Sequence, residues 1–152
     1  MKRAVVIATA VATAGTVAAA ILTTSGGAAQ APAMPRSITF VATSTGGFEP
    51  TGRHHAGETS GFADRLRSAD GTVTGRDVGV CTLHDLERRE SFCRVQMLLS
   101  NGQISFQGVI RENLRSFVFV VIGGTGAYEG AGGEARITPL SDSTTRVAVD
   151  LS

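Results

Sequence analysis

Residues 90–112 read ESFCRVQMLLSNGQISFQGVIRE, and they give the plainest indication of the fold. Apolar and polar side chains alternate through 90–99 and again through 103–112, which is the period of a half-buried β-strand. The Asn101-Gly102 pair between the two runs is a strong signal for a tight hairpin turn. The segment therefore predicts two neighbouring antiparallel strands.

The same alternation extends outward in both directions, and no helical period persists. It marks six further runs, at 38–45, 61–68, 73–83, 116–122, 134–140 and 144–151. Eight successive strands joined mostly by short turns predict an all-β protein, an eight-stranded antiparallel up-and-down β-barrel. The interior of such a barrel is filled by side chains or holds one small ligand. A two-sheet sandwich is the alternative, but the short sequential connections favour the barrel.

The N-terminus has the layout of a secretory signal peptide. A basic start, Met1-Lys2-Arg3, precedes an apolar run at 4–22 and then small residues at 25–33. We expect a signal peptide over 1–29 with cleavage near 29–33. A retained membrane anchor is the alternative, but Ala and Thr insert weakly and no basic stop-transfer signal follows. The protein is therefore expected to be secreted, with no stable membrane anchor after cleavage.

The chain length limits the number of domains, and the net charge limits the kinds of binding partner. The 152 residues support one domain, in which 30–56 holds the first strand and 57–152 forms the rest of the barrel. The net charge is +1, and loss of Lys2 and Arg3 with the signal peptide would make it −1. The near equality of positive and negative charges, together with a content of only 5% aromatic residues, argues against a nucleic-acid partner.

The cysteines indicate a disulfide rather than a metal site. Cys81 and Cys93 are the only two in the chain, and an even count in an exported protein favours a bond between them. Closing a loop of about a dozen residues is worth roughly 3 kcal/mol. Two cysteines without a CxxC motif make a poor zinc site. The sequence therefore predicts no metal.

Two other motifs are read as structural. His54-His55-Ala56-Gly57-Glu58 lies in a Pro- and Gly-rich connection without a third cluster of ligands, which predicts a solvated loop. His84, next to Asp85, is expected at an exposed hairpin tip. The glycines of 123–126 lack the Lys-Ser/Thr and the following helix of a phosphate loop, so we expect them to allow tight turning. No cofactor is predicted.

Asp64 is the most informative polar residue. In Phe62-Ala63-Asp64-Arg65-Leu66-Arg67, alternation places Asp64 between two apolar residues on one face and the arginines on the other. The arginines should face solvent, so Asp64 is expected to point inward. A buried carboxylate needs a partner or a proton, which makes it either a functional candidate or a structural link between strands. In the next run Asp77 shares a face with Cys81, and the pattern leaves that face's direction open.

Four segments together resemble a known family. They are FADRL at 62–66, GVC at 79–81, GQISFQG at 102–108 and GGTGAYEGAGG at 123–133. Their order and spacing, over roughly 57–140, are similar to those of the allene oxide cyclase-like family, which is related to the plant dirigent proteins. The resemblance implies an eight-stranded antiparallel barrel with a small hydrophobic molecule in its lumen. It also implies a homo-oligomer, a trimer or a dimer, because plant members are commonly trimeric.

The resemblance also implies roles for individual residues. Phe62 matches a lumen aromatic residue of the cyclases, and Asp64 stands where they carry an Asn that helps to hold a catalytic water. Cys81 matches a lumen cysteine. Ile110 replaces a lumen aromatic residue, and alternation then aims Phe106 inward as well. The cyclases' first-strand glutamate has no counterpart in 38–44, which predicts a reaction other than theirs.

The sequence thus predicts a secreted barrel that binds a small hydrophobic molecule. Asp64, with a weaker contribution from Asp77, would be the acid or charge stabiliser. The expected apolar contacts are Phe62, Leu66, Phe106 and Ile110. One interpretation is a cofactor-free cyclisation or isomerisation. The others are a non-catalytic dirigent-like or lipid-binding module, and a packed lumen with function on the outer surface.

Overall fold

The structure is a computed structural model that describes residues 36–152, so the predicted signal peptide lies outside the described residues. Eight β-strands make up this part of the chain. They are β1 (Ser37–Phe48), β2 (Thr59–Ser68), β3 (Thr74–Asp85), β4 (Glu90–Leu99), β5 (Gly102–Arg111), β6 (Phe117–Gly126), β7 (Gly133–Ser141) and β8 (Thr144–Leu151). Between residues 36 and 152 there is no helix long and apolar enough to span a membrane.

The strands form one closed antiparallel barrel in chain order. Each strand pairs with the next, and β8 pairs back onto β1, with Ile38 opposite Val149. The predicted all-β up-and-down barrel is therefore confirmed. Closure removes the free sheet edges that an eight-stranded meander would otherwise expose to solvent.

Two strands, β3 and β6, extend beyond their predicted ends, while the positive φ expected of the 123–126 glycines is present at Gly123 and Gly126. β6 extends through Gly126, and the glycines stay paired with β5, with Gly124 opposite Ile104. Gly124 allows a close approach, since a methyl group there would overlap the backbone oxygen of Tyr128. β3 extends to Asp85, so His84 lies within the strand rather than at a hairpin tip, although its side chain is exposed as predicted.

One end of the barrel is closed by packed side chains. This closed end carries the β2–β3, β4–β5 and β6–β7 connections. Tyr128 of the β6–β7 connection is fully buried there, and its hydroxyl donates a 2.9 Å hydrogen bond to Oδ1 of Asn101. Large buried side chains fill the adjoining part of the interior: Phe40, Leu66, Met97, Ile104 and Val149. The opposite end, called the open end below, is where a cavity remains.

Candidate functional site

A cavity of 350 Å³ occupies the interior of the barrel at its open end. This volume falls within the range of small-molecule sites, about 300–1,000 Å³. All eight strands contribute to its lining, together with residues just after β1 and between β7 and β8. The lining residues are Ser44, Glu49, Ser60, Phe62, Asp64, Asp77, Cys81, Cys93, Val95, Phe106, Ile110, Phe117, Phe119, Ile137, Asp142, Ser143, Thr145 and Val147.

Four phenylalanine rings give the cavity its apolar character. They are Phe62, Phe106, Phe117 and Phe119. The centroids of Phe106 and Phe119 lie 5.9 Å apart in a tilted arrangement, which is a favourable aromatic contact. Gly79 stands opposite Phe62 in the β2–β3 register, and a methyl group at Gly79 would overlap the Phe62 ring. This glycine therefore makes room for a ring on the neighbouring strand.

A pair of carboxyl groups crosses from β2 to β3 in the cavity wall. Asp64 is directly opposite Asp77 in the strand register, so the two carboxyl groups are neighbours and each shifts the pKa of the other. Burial raises the pKa of Asp77 to about 7, and the negative charge of Asp64 adds to that effect. Burial also raises the pKa of Asp64, while the hydrogen bond from Asp77 acts in the opposite direction. When the pair holds one proton, that proton therefore lies mainly on Asp77 and the negative charge mainly on Asp64.

Asp77 has one oxygen without a partner. The residue is 2% exposed, and its Oδ1 atom makes no hydrogen bond with any described residue. A buried polar atom left in this state costs about 1–3 kcal/mol, so native proteins rarely keep one without a reason. Asp77 is one of the residues that line the cavity, so this oxygen belongs to the cavity wall, although the atom itself has almost no exposed surface.

The predicted disulfide is present and forms part of the same wall. Cys81 of β3 lies opposite Cys93 of β4, with a Cα–Cα distance of 4.0 Å, and the two sulfurs are bonded. Both cysteines line the cavity. Neither can therefore act as a free thiol in the cavity.

Most of the residues singled out in the sequence come together in this cavity. Its lining includes the two aspartates, the two cysteines, Phe62, Phe106 and Ile110. Leu66 is fully buried on the same face of β2 but lies outside the lining, among the side chains that pack the closed half. Arg65 and Arg67 face outward and are exposed, as alternation predicts.

Sequence reasoning missed several lining residues. Glu49 and Asp142 lie in connections, where strand alternation gives no direction. Phe117 and Phe119 belong to β6, whose residues 117–122 are apolar on both faces. Alternation therefore could not show which face of β6 points inward. Their direction depends on the register of β6 with β5 and β7, which the sequence alone does not give.

The His54–Glu58 segment lies near the open end but outside the cavity. His54 is within 2.9 Å of Glu58 through Nδ1 and Oε2, and its side chain is exposed. This contact lowers the pKa of Glu58. Across residues 36–152, no three His, Cys, Asp or Glu side chains are grouped closely enough to hold a metal ion.

Comparisons with known proteins place the fold in a defined group. The family model described as allene oxide cyclase barrel like domain matches residues 38–151. No curated protein gives a significant match. The solved structure of a pyocyanin demethylase is 21% identical, with a TM-score of 0.67, and the match covers 76% of this chain and 99% of that one.

Two further solved structures share the barrel. An exo-specific intermolecular Diels-Alderase, AbnU, is 14% identical with a TM-score of 0.62, over 76% of this chain and 96% of that one. A pterocarpan synthase dirigent protein is 19% identical with a TM-score of 0.55, over 76% of this chain and 83% of that one. At these identities the likenesses concern the fold alone. Similar barrels thus occur in proteins named for quite different reactions.

Proposed function

The chain belongs to the family of allene oxide cyclase barrel-like domains, and we propose that it binds a small hydrophobic molecule in its cavity and catalyses a cofactor-free cyclisation or isomerisation of it. The observation that carries this proposal is the Asp64–Asp77 pair in the wall of a cavity with four phenylalanine rings. A protonated and an ionised carboxyl side by side supply an acid and a base in one apolar site.

The two aspartates would have different roles in the reaction. Asp77, which holds the proton, would give it to an oxygen or a double bond of the substrate. Asp64 would stabilise the positive charge that develops and then accept a proton from another atom of the substrate. The substrate's formula is unchanged, as an isomerisation or an intramolecular cyclisation requires. The hydrogen bond between the carboxyls would return the proton from Asp64 to Asp77.

The cavity walls would contribute by fixing the substrate's shape. A flexible apolar molecule enclosed by phenylalanine rings loses conformations that do not react, and orientation of this kind lowers a barrier without a cofactor. The same enclosure excludes water from a reactive cation. The apolar walls therefore support the same reaction class as the carboxyl pair.

We place this activity outside the cell. The N-terminal layout of a signal peptide and the disulfide between Cys81 and Cys93 support export, because such bonds persist in oxidising compartments. A substrate would then be a molecule that the producing cell releases or meets in its surroundings.

The direct test uses extracts of the source organism with its gene for this protein deleted. Adding the purified protein should convert one extract compound into an isomer of equal mass, detected by chromatography and mass spectrometry. We expect Asp64→Asn and Asp77→Asn to lower the rate by about 10²-fold or more, the usual contribution of a general acid or base. Asp150→Asn, an exposed acid on the outside of β8, should act like the wild type. Unchanged rates in both site variants would remove the carboxyl pair from the reaction.

A non-catalytic carrier is the second candidate. The lining is mostly apolar, which suits a dirigent-like or lipid-binding module as well as an enzyme. In that case a compound from the extract should bind and be recovered unchanged after incubation. Recovery of an isomer decides for the enzyme.

A further inference from the structure

The cavity carries a strong excess of acidic groups. Four acids line it, namely Glu49, Asp64, Asp77 and Asp142, whereas no Arg, Lys or His of residues 36–152 does. The chain as a whole has 14 basic and 13 acidic residues, so the excess belongs to this site and not to the composition. A ligand in the cavity therefore meets negative charge from both the floor and the rim.

The nearest basic groups do not offset this charge. Arg65, Arg67 and Arg76 lie beside the carboxyl pair in sequence but face outward from β2 and β3 and are exposed. At the open end, Arg89 forms a 2.7 Å ion pair with Glu112. His54, as described above, is held by Glu58. None of these basic groups is among the residues that line the cavity.

The unpartnered oxygen of Asp77 points to a particular kind of group. Asp77 belongs to the cavity wall and its Oδ1 has no partner, so a small movement of the wall would present a hydrogen-bond acceptor to a bound ligand. An N–H or O–H donor would satisfy it, and a carboxylate on the ligand could not. The ionised Asp64 beside it favours a donor that is also positively charged.

The phenylalanine rings favour the same charge. The face of an aromatic ring carries negative potential and attracts a cation within about 6 Å of its centroid. Four such rings line the cavity together with the acids. An anionic amphiphile such as a fatty acid would meet repulsion from both kinds of group.

We infer that the cavity is selective for hydrophobic organic cations, with an ammonium or iminium N–H on the Asp64–Asp77 pair and the apolar body among the phenylalanine rings. This inference rests on the proposed function, since it names the substrate class for the same cavity. It also restricts the reaction, because the positive charge would be present on the substrate from the start.

Three probes of one shape and different charge test the selectivity. They are 2-naphthylmethylammonium, 2-naphthalenemethanol and 2-naphthoate, titrated into the purified protein at pH 6 by calorimetry. We expect the ammonium to bind about tenfold or more tightly than the alcohol, and the naphthoate to bind least. Equal affinities, or a preference for naphthoate, would overturn the inference and leave a hydrophobic site standing. Binding of none of the three would overturn the proposed function as well.

Matched variants test whether the preference for the ammonium probe arises in the cavity. Asp64→Asn should lower the ammonium affinity about tenfold and the alcohol affinity much less, because it removes the charge and keeps the side chain's shape. Asp142→Asn at the rim should have a smaller effect in the same direction. Asp150→Asn removes an equal charge from the outer face and should change neither affinity. If it weakens ammonium binding as much as Asp64→Asn does, the selectivity is a property of net charge and the inference fails.

Discussion

The Asp64–Asp77 pair is an unusual choice for two facing positions in a sheet. Like charges directly opposite each other on neighbouring antiparallel strands destabilise the pairing. Here the cost is limited because burial raises the pKa of Asp77 to about 7, so the group is largely neutral in mildly acidic solution. The pair is retained at a cavity wall rather than on the exposed surface, which fits a chemical role better than a structural one.

Stability should fall as pH rises through the titration of Asp77. Its pKa is about 7 in the folded protein against 3.8 for an ordinary aspartate, so the folded state binds the proton more tightly than the unfolded one. The stabilisation is therefore full below pH 4 and is lost as pH approaches and passes 7. Asp77→Asn imitates the neutral form and cannot titrate. Urea unfolding should show it to be more stable than the wild type at pH 8, by on the order of 2–4 kcal/mol.

The control for this prediction is pH itself. At pH 4 the wild type and Asp77→Asn should have nearly equal free energies of unfolding, since both carry a neutral group at this position. A difference that does not change between pH 4 and pH 8 would mean that Asp77 keeps an ordinary pKa.

Gly79 should be intolerant of even one added carbon. A methyl group there overlaps the ring of Phe62. We expect Gly79→Ala to cost about 1–3 kcal/mol in the free energy of unfolding, the usual range for overpacking. Gly46→Ala on β1 is the matched control, because its added methyl group meets no atom within 4 Å. Equal effects of the two changes in urea unfolding would show that Phe62 does not occupy this space.

At the scale of the elements, β3 and β4 are joined twice, by backbone pairing and by the disulfide. Cys81 and Cys93 lie 12 residues apart in the chain. Replacing both by Ala should lower the free energy of unfolding by roughly 2–4 kcal/mol, mainly by giving the unfolded chain more freedom. The double variant is preferable to a single one, which would leave a reactive thiol. Unfolding midpoints that match the wild type would show that the bond adds nothing to the paired strands.

The β6–β7 connection should affect stability without affecting the site. Tyr128→Phe removes the hydrogen bond to Asn101 at the closed end, which we expect to cost about 1 kcal/mol. Because Tyr128 lies outside the cavity lining, the calorimetric affinity for 2-naphthalenemethanol should stay the same. A change in affinity would show that the closed end and the cavity are coupled.

The alternation of apolar and polar residues was enough to predict most of the fold but only part of the site. Alternation placed Asp64 inward and Arg65 outward, and turn signals separated eight strands. It could not show that Asp64 faces Asp77, because that depends on the β2–β3 register. Nor could it find Glu49 or Asp142, which reach the cavity only because the closed barrel brings the connections of one end together. The length of β6 was underestimated because glycine is rare within strands.

At the scale of the molecule, the outer surface raises the question of oligomeric state. Three apolar side chains on β3 and β6, Val78, Val80 and Ile122, line a shallow groove on the outside of the barrel. Each of these three side chains is at least 39% exposed. Together they form a continuous apolar surface, which single exposed residues scattered over a protein do not. We propose that a second copy of this chain covers the groove, in the dimer or trimer that the family resemblance implies.

Light scattering coupled to size-exclusion chromatography tests this proposal. The wild type should elute with a mass two or three times that of one chain. Val80→Glu, which places a charge in the groove, should shift the protein to the monomer while leaving its circular dichroism unchanged. A wild type that is monomeric at about 100 μM would contradict the proposal, since a stable dimer dissociates only well below that concentration.

The central claim is that the open half of the barrel is a binding cavity whose polar contact is the Asp64–Asp77 pair. The most direct test is a crystal structure of the protein soaked with 2-naphthalenemethanol, a neutral probe that tests the cavity apart from its charge preference. We predict the naphthalene rings between Phe62, Phe106 and Phe119, with the hydroxyl within hydrogen-bond distance of a carboxyl oxygen of Asp64 or Asp77. An empty cavity at saturating probe, or a probe bound only on the outer face, would contradict the account.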